Sequence, residues 1–493
     1  MIMNKFTNYG FDQEILTAID KLGYVQPTKV QEELFPVILS QQDAIVKSQT
    51  GSGKTAAFAL PILQQLDWNI RTPQVLVLTP TRELALQIKD DMFHLGRYKR
   101  MNVQAVFGKM SFEGQRKQLA QRTHVVVGTP GRVLDHLIQH TLDVSEVAYL
   151  VIDEADEMFT MGFEEEMQKI LERLPKQRQT ILLSATLDER IETLCQQQMH
   201  QPAFIDVISK RNVFDVIEQQ AYEAVGDKDQ LLEDVLMKEN PDSAIIFCNT
   251  QEMVNHVANE VIGYPEATRK LHGGMDQKDR IQVITDFKLG YFRYLVATDV
   301  AARGLDIEKV ELVINYDVPS DVQTYVHRIG RTGRKDQQGK AITLVTPNEM
   351  GMLHKLESEL AITLSMQPTI TEGMRKTYEQ AFVSKRSQNR TLVKEKSLAF
   401  KEDIMKLHIN AGKKTKMRPG DVVGAITSIE GILATDIGVI SIVDVSTFVE
   451  ILNGKGQLVF DALQDLPIKG RIRRINKANV SQYEIDYYNQ ENK

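Results

Sequence analysis

The chain has 493 residues, of which 42% are hydrophobic and 25% charged, a composition typical of globular proteins. This length predicts about three folded units. No apolar run approaches the ~20 residues of a membrane helix, and residues 1–10 lack signal-peptide features, so we expect a cytosolic protein without membrane contact. Cys195 and Cys248 are the only cysteines, which disfavours a disulfide framework or a thiolate metal site.

The charge is unevenly distributed along the chain. The net charge is −7, which alone would disfavour a general polyanion binder. Residues 405–477, however, contain eleven Lys or Arg against seven Asp or Glu, a local excess of 4 positive charges. This asymmetry predicts a nucleic-acid contact near the C-terminus.

Short apolar runs alternate with amphipathic segments in two series. Continuous β-branched runs in this setting indicate strands buried on both faces, and therefore parallel sheets in α/β domains. We predict two tandem domains of this class, at residues 1–205 and 214–368, with the cleft between them as the ligand site. The runs are residues 44–46, 75–78, 125–127, 149–152 and 181–183, then 244–247, 294–297, 312–314 and 341–345.

The remaining chain divides into a linker and a small domain. Residues 369–404 are highly charged with few apolar positions, which predicts a linker that is partly helical at best. Residues 405–480 follow the order β-α-β-β-α-β, carried by MKLHIN, PGDVVGAITSI, IGVISIV, TFVEIL, QLVFDALQDL and RIRRIN. That order is typical of the ferredoxin-like α+β fold of RNA recognition motifs.

The segment SQTGSGKT follows the first apolar run and precedes a helical pattern, as a phosphate-binding loop requires. Its glycines let backbone N–H groups approach phosphate oxygens, Lys54 adds a charge for the β- and γ-phosphates, and Thr55 offers a hydroxyl to Mg²⁺. The usual pattern begins with Gly where Ser48 stands. A glycine-rich turn that only joins strand to helix is the alternative. The candidate nucleotide-binding residues are Ser48, Thr50, Gly51, Ser52, Gly53, Lys54 and Thr55.

The tetrapeptide DEAD, residues 153–156, follows the run at 149–152, where an acid that holds Mg²⁺ is expected. Asp153 would orient the metal and Glu154 the attacking water. A solvated helix start is the alternative for four such residues in isolation. The phosphate loop earlier in the same domain favours the catalytic interpretation.

These motifs resemble those of the DEAD-box RNA helicases, and the resemblance covers nearly the whole chain. GYVQPTKVQ, residues 23–31, is similar to the Q motif of that family. The resemblance implies that Gln31 reads the adenine edge and that Phe6 stacks on the base, which would select ATP. Without the resemblance, Gln31 would be interpreted as a helix-surface residue.

The resemblance also implies RNA contacts and a coupling motif in the first domain. PTRELA and TPGR are similar to loops that hold the RNA backbone, and backbone contacts bind without reading sequence. The implied RNA contacts are Thr81, Arg82, Thr129 and Arg132. Ser184 and Thr186 of SAT would link the ATP state to strand separation. The segment AVFGKMS departs from the family pattern, because Lys109 stands where a second glycine is common.

In the second domain, HGGMDQKDR, ATDVAARGLD and HRIGRTGR resemble family motifs in matching order. The resemblance assigns Arg331 and Arg334 to the γ-phosphate, Asp306 to the ribose, and Arg280 and Thr298 to RNA. Guanidinium groups stabilise charge on a transferring phosphoryl group, an effect worth ~10³ or more in rate. A solvated basic loop is the alternative for the arginines at 328–334.

The C-terminal segment gives a mixed signal for base stacking. His408 and Phe448 stand where recognition motifs carry aromatics, but Asp444 and Ser446 depart from the usual pattern. We therefore expect a salt-sensitive RNA surface on the helix side or edge. A protein-binding domain is the alternative. The basic residues concerned are Lys413, Lys414, Lys416 and Arg418 after the first strand, then Lys469, Arg471, Arg473 and Arg474 on the last.

KKTKMRPGDVVGAI, ILNGKG and IKGR resemble the C-terminal domain of the DbpA/YxiN subfamily of these helicases. This resemblance implies a role in large-subunit assembly, with the tail bound to a 23S rRNA hairpin. We also expect a monomer. Our first hypothesis is thus a site-targeted, ATP- and Mg²⁺-dependent RNA helicase. An ATP-timed RNA clamp, a DNA translocase and a metabolic phosphotransferase are progressively weaker alternatives.

Overall fold

The computed structural model describes residues 5–48, 53–207, 217–262, 266–299, 310–333, 339–386, 399–400 and 402–478. The chain divides into two compact units. One contains Met1–Ile208 together with Glu395–Lys493, and the other contains Ser209–Lys394. The first α/β domain and the C-terminal domain therefore belong to the same unit.

The first domain is built on a seven-stranded sheet in the order β3-β4-β2-β5-β6-β1-β7, with parallel pairing between neighbours. Its central strands are fully buried because apolar residues occupy both faces. Strands β1 to β7 are Ala44–Lys47, Val75–Leu78, Val103–Val106, Val125–Gly128, Tyr149–Ile152, Gln179–Ser184 and Ala203–Asp206. Helices α1 to α9 are Gln13–Lys21, Lys29–Leu39, Lys54–Gln65, Arg82–Leu95, Phe112–Leu119, Pro130–Ile138, Ala155–Thr160, Glu164–Leu171 and Glu189–Gln198.

The second domain repeats this architecture with a parallel sheet in the order β10-β11-β9-β12-β13-β8-β14. Its strands β8 to β14 are Ile217–Glu223, Ala244–Cys248, Thr268–Leu271, Tyr294–Thr298, Leu312–Asn315, Gly339–Val345 and Ser365–Gln367. Helices α10 to α15 are Lys228–Glu239, Gln251–His256, Gln277–Leu289, Val322–Ile329, Met350–Leu360 and Glu372–Arg386. The predicted pair of parallel-sheet domains is confirmed.

Helix α15 occupies 15 residues of the segment predicted to be a partly helical linker, and it packs on the second domain. Phe382 is buried in the core of the second domain, and Met374 packs against the same cluster. Arg375 also pairs with Asp234 on α10, with Arg375 Nε 2.7 Å from Asp234 Oδ1. Met374, Tyr378 and Phe382 are spaced at i, i+4 and i+8, so they form one apolar stripe that the charged composition obscures.

The C-terminal domain has an antiparallel sheet in the order β16-β17-β15-β18, the strand order expected of a recognition-motif fold. Its strands β15 to β18 are Met405–Ile409, Ile437–Ile442, Thr447–Ile451 and Ile475–Lys477, and α16 and α17 are Pro419–Thr427 and Gly456–Ala462. The prediction for RIRRIN was wrong in its position. Ile468 and Arg471 exchange backbone hydrogen bonds in a turn, so the arginines at 471–474 precede the last strand.

None of the helices among the described residues is long and apolar enough to cross a membrane. Cys195 and Cys248 are both buried free thiols. Burial raises the pKa of the Cys195 thiol to about 11, which keeps this group protonated and unreactive at neutral pH.

Candidate functional site

The phosphate loop lies between strand β1 and helix α3. Lys54 is the first residue of α3, and Gly53 precedes it with a left-handed φ of 86°. A Cβ atom on Gly53 would lie 2.9 Å from Gln31 Nε2, so only glycine fits there without displacement. The positive end of α3 and the buried Lys54 form a setting that suits phosphate. Thr50, Gly51 and Ser52 lie outside the described residues.

Gln31 is buried rather than on the helix surface, with 1% of its area exposed. Its Nε2 donates to the Gly53 carbonyl at 3.1 Å, and its Oε1 accepts from the Thr28 backbone N–H at 3.0 Å. The Q-motif segment therefore packs against the end of the phosphate loop and hydrogen-bonds to it. Phe6 is also fully buried and lies 6.2 Å from the Phe35 ring, so stacking on a base requires this side chain to be uncovered.

The acidic motif begins directly after strand β5. Asp153 is buried, and burial raises the pKa of its carboxyl while the charge of Lys54 acts in the opposite direction. The Lys54 ammonium group is therefore close enough to the Asp153 carboxyl for its charge to act on it. Glu154 has a left-handed φ of 53°, which is uncommon for a residue other than glycine and costs about 1–3 kcal/mol.

Asp156 connects the acidic motif to the SAT segment, a role that the sequence interpretation missed. Asp156 Oδ2 accepts hydrogen bonds from the backbone N–H and the hydroxyl of Thr186, both at 3.1 Å. Ser184 Oγ donates to the Thr186 carbonyl at 2.6 Å, and the Ser184 carbonyl accepts from the Ser48 N–H at 3.1 Å. Hydrogen bonds therefore join three motifs along adjacent strands β5, β6 and β1.

The proposed RNA-contact loops of the first domain meet around residues 106–115. Thr81 caps α4 by accepting from the Leu84 N–H at 3.3 Å, and a Cβ on Gly108 would lie 3.4 Å from Arg82 Nη2. Thr129 precedes α6 and donates its backbone N–H to the Val106 carbonyl at 3.2 Å. Arg82 and Thr129 therefore border one segment, which includes Lys109 in a left-handed conformation.

Arg132 contacts the same segment, partly through Gln115, a residue that the sequence interpretation did not identify. Its Nη1 donates to the Met110 carbonyl and to Gln115 Oε1, both at 3.0 Å. His136 Nε2 lies 3.2 Å from the same Gln115 oxygen, and its ring stacks on Phe112 at 4.2 Å. Burial, with a smaller effect of the Arg132 charge, lowers the pKa of His136 to about 4.

In the second domain, three predicted residues lie among the described ranges. Arg331 is buried and its Nε donates to the His327 carbonyl at 3.3 Å. Thr298 ends strand β11, and Arg280 lies on α12. Burial lowers the pKa of His272, with smaller effects of the Lys270 and Arg280 charges. Asp306 and Arg334 lie outside the described residues.

Arg328, also within HRIGRTGR, is a structural centre of this domain that the sequence interpretation missed. Its side chain is 1% exposed and forms two hydrogen bonds to Asp299, at 2.5 Å and 2.7 Å. It also donates to Asn249 Oδ1 and to the Asp317 carbonyl, both at 2.7 Å. These partners follow strands β11, β9 and β12, so one guanidinium joins three neighbouring strand ends.

The basic residues of the C-terminal domain form a common surface. Lys413–Thr415 is a single 3-10 turn, and Lys416 follows with a left-handed φ of 56°. Lys469 donates to the Lys416 carbonyl and lies 3.2 Å from Asp421 Oδ2. The exposed basic residues are Lys413, Lys414, Lys416, Arg418, Lys469, Arg471 and Arg474, whereas Arg473 is half-buried.

The two candidate stacking residues are not accessible in this arrangement. His408 and Phe448 are opposite each other on strands β15 and β17, and their rings stack at 5.0 Å. They retain only 6% and 2% of their area exposed. His408 Nε2 also lies 2.8 Å from Ser446 Oγ, so the unusual serine has a structural partner.

Two RecA-like domains with a phosphate loop and an acidic motif, joined to a recognition-motif fold, define an ATP-dependent RNA helicase. Residues 28–194 match the DEAD/DEAH box helicase family, and residues 227–336 match the helicase conserved C-terminal domain. Residues 406–477 match the DbpA RNA binding domain.

The chain belongs to the DbpA group of DEAD-box ATP-dependent RNA helicases, with their ATPase and helicase activity. It is 48% identical to the ATP-dependent RNA helicase DbpA of Bacillus subtilis over 97% of this chain and 100% of that protein. It is 37% identical to DbpA of Escherichia coli over 93% and 96% of the two chains. Saccharomyces cerevisiae Dbp5 bound to RNA and ADP BeF3 is similar in structure, with a TM-score of 0.65 and 28% identity over 77% of this chain and all of that one.

Proposed function

We propose that this helicase opens RNA duplexes near a 23S rRNA hairpin to which its C-terminal domain binds. It would act in the cytoplasm as a monomer on the assembling large ribosomal subunit. The observation that carries this proposal is the basic surface around Lys413–Lys416 and Lys469, because it concentrates positive charge on an otherwise acidic chain. Such a surface suits a phosphate backbone and predicts salt-sensitive binding.

For hydrolysis, we propose that Lys54 binds the β- and γ-phosphates, with Ser48, Thr50, Gly51, Ser52 and Gly53 completing the loop. Thr55 and Asp153 would hold Mg²⁺, which supplies neutralising charge to the phosphates when bound. Glu154 would orient the attacking water. Arg331 and Arg334 would stabilise charge on the γ-phosphoryl group. The left-handed backbone of Glu154 supports its role, since strain of this kind collects at functional sites.

For nucleotide selection, we propose that Gln31 reads the adenine edge, that Phe6 stacks on the base, and that Asp306 binds the ribose. The Gln31 hydrogen bond to Gly53 supports a link between base recognition and loop position, because adenine and Gly53 would compete for the same amide. Binding of ATP would therefore rearrange this contact and uncover Phe6.

For RNA, we propose that Thr81, Arg82, Thr129 and Arg132 in the first domain contact the backbone, with Arg280 and Thr298 in the second. Ser184 and Thr186 would transmit the nucleotide state to these loops. Support comes from Asp156, which bonds Thr186 while belonging to the same motif as Asp153 and Glu154.

The first experiment compares ATP turnover with no nucleic acid, DNA, poly(A) and transcribed fragments of large-subunit rRNA, with and without residues 405–493. We expect one ribosomal fragment to stimulate most strongly, and we expect this preference to disappear with the tail. Equal stimulation by all RNAs would contradict the proposed ribosomal target. Duplex displacement on the preferred fragment distinguishes a helicase from an RNA clamp.

A charge-reversal variant tests the basic surface itself. Lys413→Glu, Lys414→Glu and Lys416→Glu together should weaken binding of the preferred fragment and leave turnover at saturating poly(A) unchanged. The matched control carries the same charge change on exposed lysines elsewhere, Lys169→Glu, Lys355→Glu and Lys376→Glu. Equal loss of binding in both variants would show that only net charge matters.

A further inference from the structure

One face of the C-terminal sheet is polar yet buried. Strands β15 and β17 send Leu407, Ile409, Val449 and Ile451 into the domain's own core. The alternate positions on the other face pair Lys406 with Glu450 and His408 with Phe448. These four side chains retain at most 8% exposure. In recognition motifs, aromatic side chains on this face stack on RNA bases. Because the face is buried here, it must have a different function in this domain.

Glu450 on this face pairs with Arg97 of the first domain. Arg97 Nη2 lies 2.8 Å from Glu450 Oε1, and Arg97 Nε donates to Glu450 Oε2 at 3.4 Å, a two-point contact. The two side chains are only 1% and 2% exposed. Arg97 also lies over the rings of Phe93 and Phe400, at 5.4 Å and 5.0 Å. A carboxylate in this position would repel RNA phosphates, but it fits a buried guanidinium.

Two further sets of polar contacts join the C-terminal region to the first domain. In the first set, Asp403 accepts from the Tyr98 hydroxyl at 3.1 Å and lies 2.7 Å from Lys21 Nζ. In the second set, Gln121 Oε1 accepts from Ser441 Oγ and from the Ile442 N–H, both at 3.2 Å. Beside that contact, Lys117 Nζ lies 3.3 Å from Asp444 Oδ2.

An apolar cluster completes the contact. Phe400, Ile404 and Leu452 are buried together, and Leu22 and Tyr98 of the first domain pack against them. The His94 ring stacks on Phe400, with centroids 5.4 Å apart and planes inclined by 9°. The buried ion pair, the polar contacts and this cluster together have the composition of a specific interface.

The contact lies on the first domain at the edge opposite the nucleotide site. Arg97 follows the end of α4, and Lys117 lies in the last turn of α5. Both helices begin beside the carboxyl ends of their preceding strands and therefore end at the opposite edge of the sheet. The Lys413–Lys416 surface stays exposed in the presence of this contact.

We infer that the sheet face of the C-terminal domain is a docking surface for the first domain, fixed by Arg97 and Glu450. The C-terminal domain is then a rigid arm of the first domain rather than a flexible tether. RNA binds its basic loop surface without displacing this contact. The last statement rests on the proposed function, whereas the docking itself does not.

Single-molecule FRET on the full chain tests the docking. Dyes at Gln139→Cys and Gln464→Cys report the distance between the two domains, because both positions are exposed and the native cysteines are buried. The parent chain should show one narrow population. Glu450→Gln leaves Arg97 buried without its countercharge and should reduce the ratio of docked to undocked molecules by roughly 100-fold or more. The matched control is Glu430→Gln, an exposed residue of the same domain, which should change nothing.

A second variant distinguishes loss of docking from misfolding of the C-terminal domain in Glu450→Gln. Lys117→Glu places a negative charge beside Asp444 from a partly exposed position on the first domain, so both folds are preserved. It should also increase the undocked population. Unchanged FRET in both Lys117→Glu and Glu450→Gln would overturn the inference.

Adding a transcribed large-subunit rRNA fragment separates docking from RNA binding. The docked population of the parent chain should persist, and Lys117→Glu should bind the fragment as tightly as the parent. Loss of the docked population on adding RNA would show that the sheet face binds RNA and would overturn the inference. Absence of ribosomal preference with intact docking would contradict only the proposed function.

Discussion

The Asp156 to Thr186 contact allows a quantitative prediction for Asp156→Asn. Asp156 accepts two hydrogen bonds from Thr186 through one carboxylate oxygen. A hydrogen bond to a charged group is worth about 1.5–3 kcal/mol, and a neutral one about 0.5–1.5 kcal/mol. Asn keeps the size of the side chain but removes the charge. The connection should weaken by about 1–2.5 kcal/mol, and duplex unwinding per ATP should fall roughly 5- to 70-fold.

The assay measures strand displacement and ATP turnover on the same RNA duplex, so that their ratio reports coupling. Thr186→Val is the matched variant, because it removes only the hydroxyl bond and should cause a smaller loss. The double variant should lose less than the sum of the single losses, since the two residues share one contact. Additive losses, or equal losses of turnover and unwinding in Asp156→Asn, would refute the coupling role.

Three further predictions concern catalysis, stability and pH. Glu154→Gln should abolish ATP turnover while ATP and RNA still bind; normal turnover in a phosphate-release assay would remove Glu154 from its role. Arg328→Lys loses the two-point contact with Asp299 and should destabilise the second domain by about 1.5–3 kcal/mol. Hydrogen exchange at residues 244–248 and 312–315 should then quicken, and unchanged protection would contradict this. His136, with a pKa near 4 against ~6.5 unfolded, should stay neutral at pH 5 by NMR, so stability falls as pH drops through this interval. His256 serves as the control, because its pKa is raised, mainly by its hydrogen bond to Asp229, and it should therefore be protonated at pH 5.

The strands were predictable where an apolar run is buried on both faces, and not where polar or exposed residues interrupt it. Val75–Leu78 and Tyr149–Ile152 are wholly apolar, and the sequence identified both. Five strands were missed because polar or partly exposed residues interrupt their apolar pattern, and all of them except Ile217–Glu223 lie at a sheet edge. They are Val103–Val106, Ala203–Asp206, Ile217–Glu223, Thr268–Leu271 and Ser365–Gln367. Helix α15 was difficult to predict for a related reason, because its few apolar residues are separated by charged ones.

The candidate site was predictable as a set of strand ends, because motif residues follow the parallel strands that end at one edge. The sequence therefore predicted Lys54, Asp153 and Thr186 as site residues, but not the residues that contact them. Arg328 and Asp299 are 29 positions apart, and only the alignment of strand ends brings them together. Ion pairs of this kind cannot be predicted from local sequence patterns, because a local pattern does not specify which acidic residue will contact a given arginine.

The separation between Arg97 and Glu450 has a consequence during synthesis. The two residues are 353 positions apart in the chain. At a translation rate of about 5–20 residues per second, the ribosome would complete Glu450 roughly 18–70 s after Arg97. The nascent first domain thus presents an apolar and cationic surface before its own cover exists. We expect the surface around Phe93 and Tyr98 to stay accessible to other proteins during this interval.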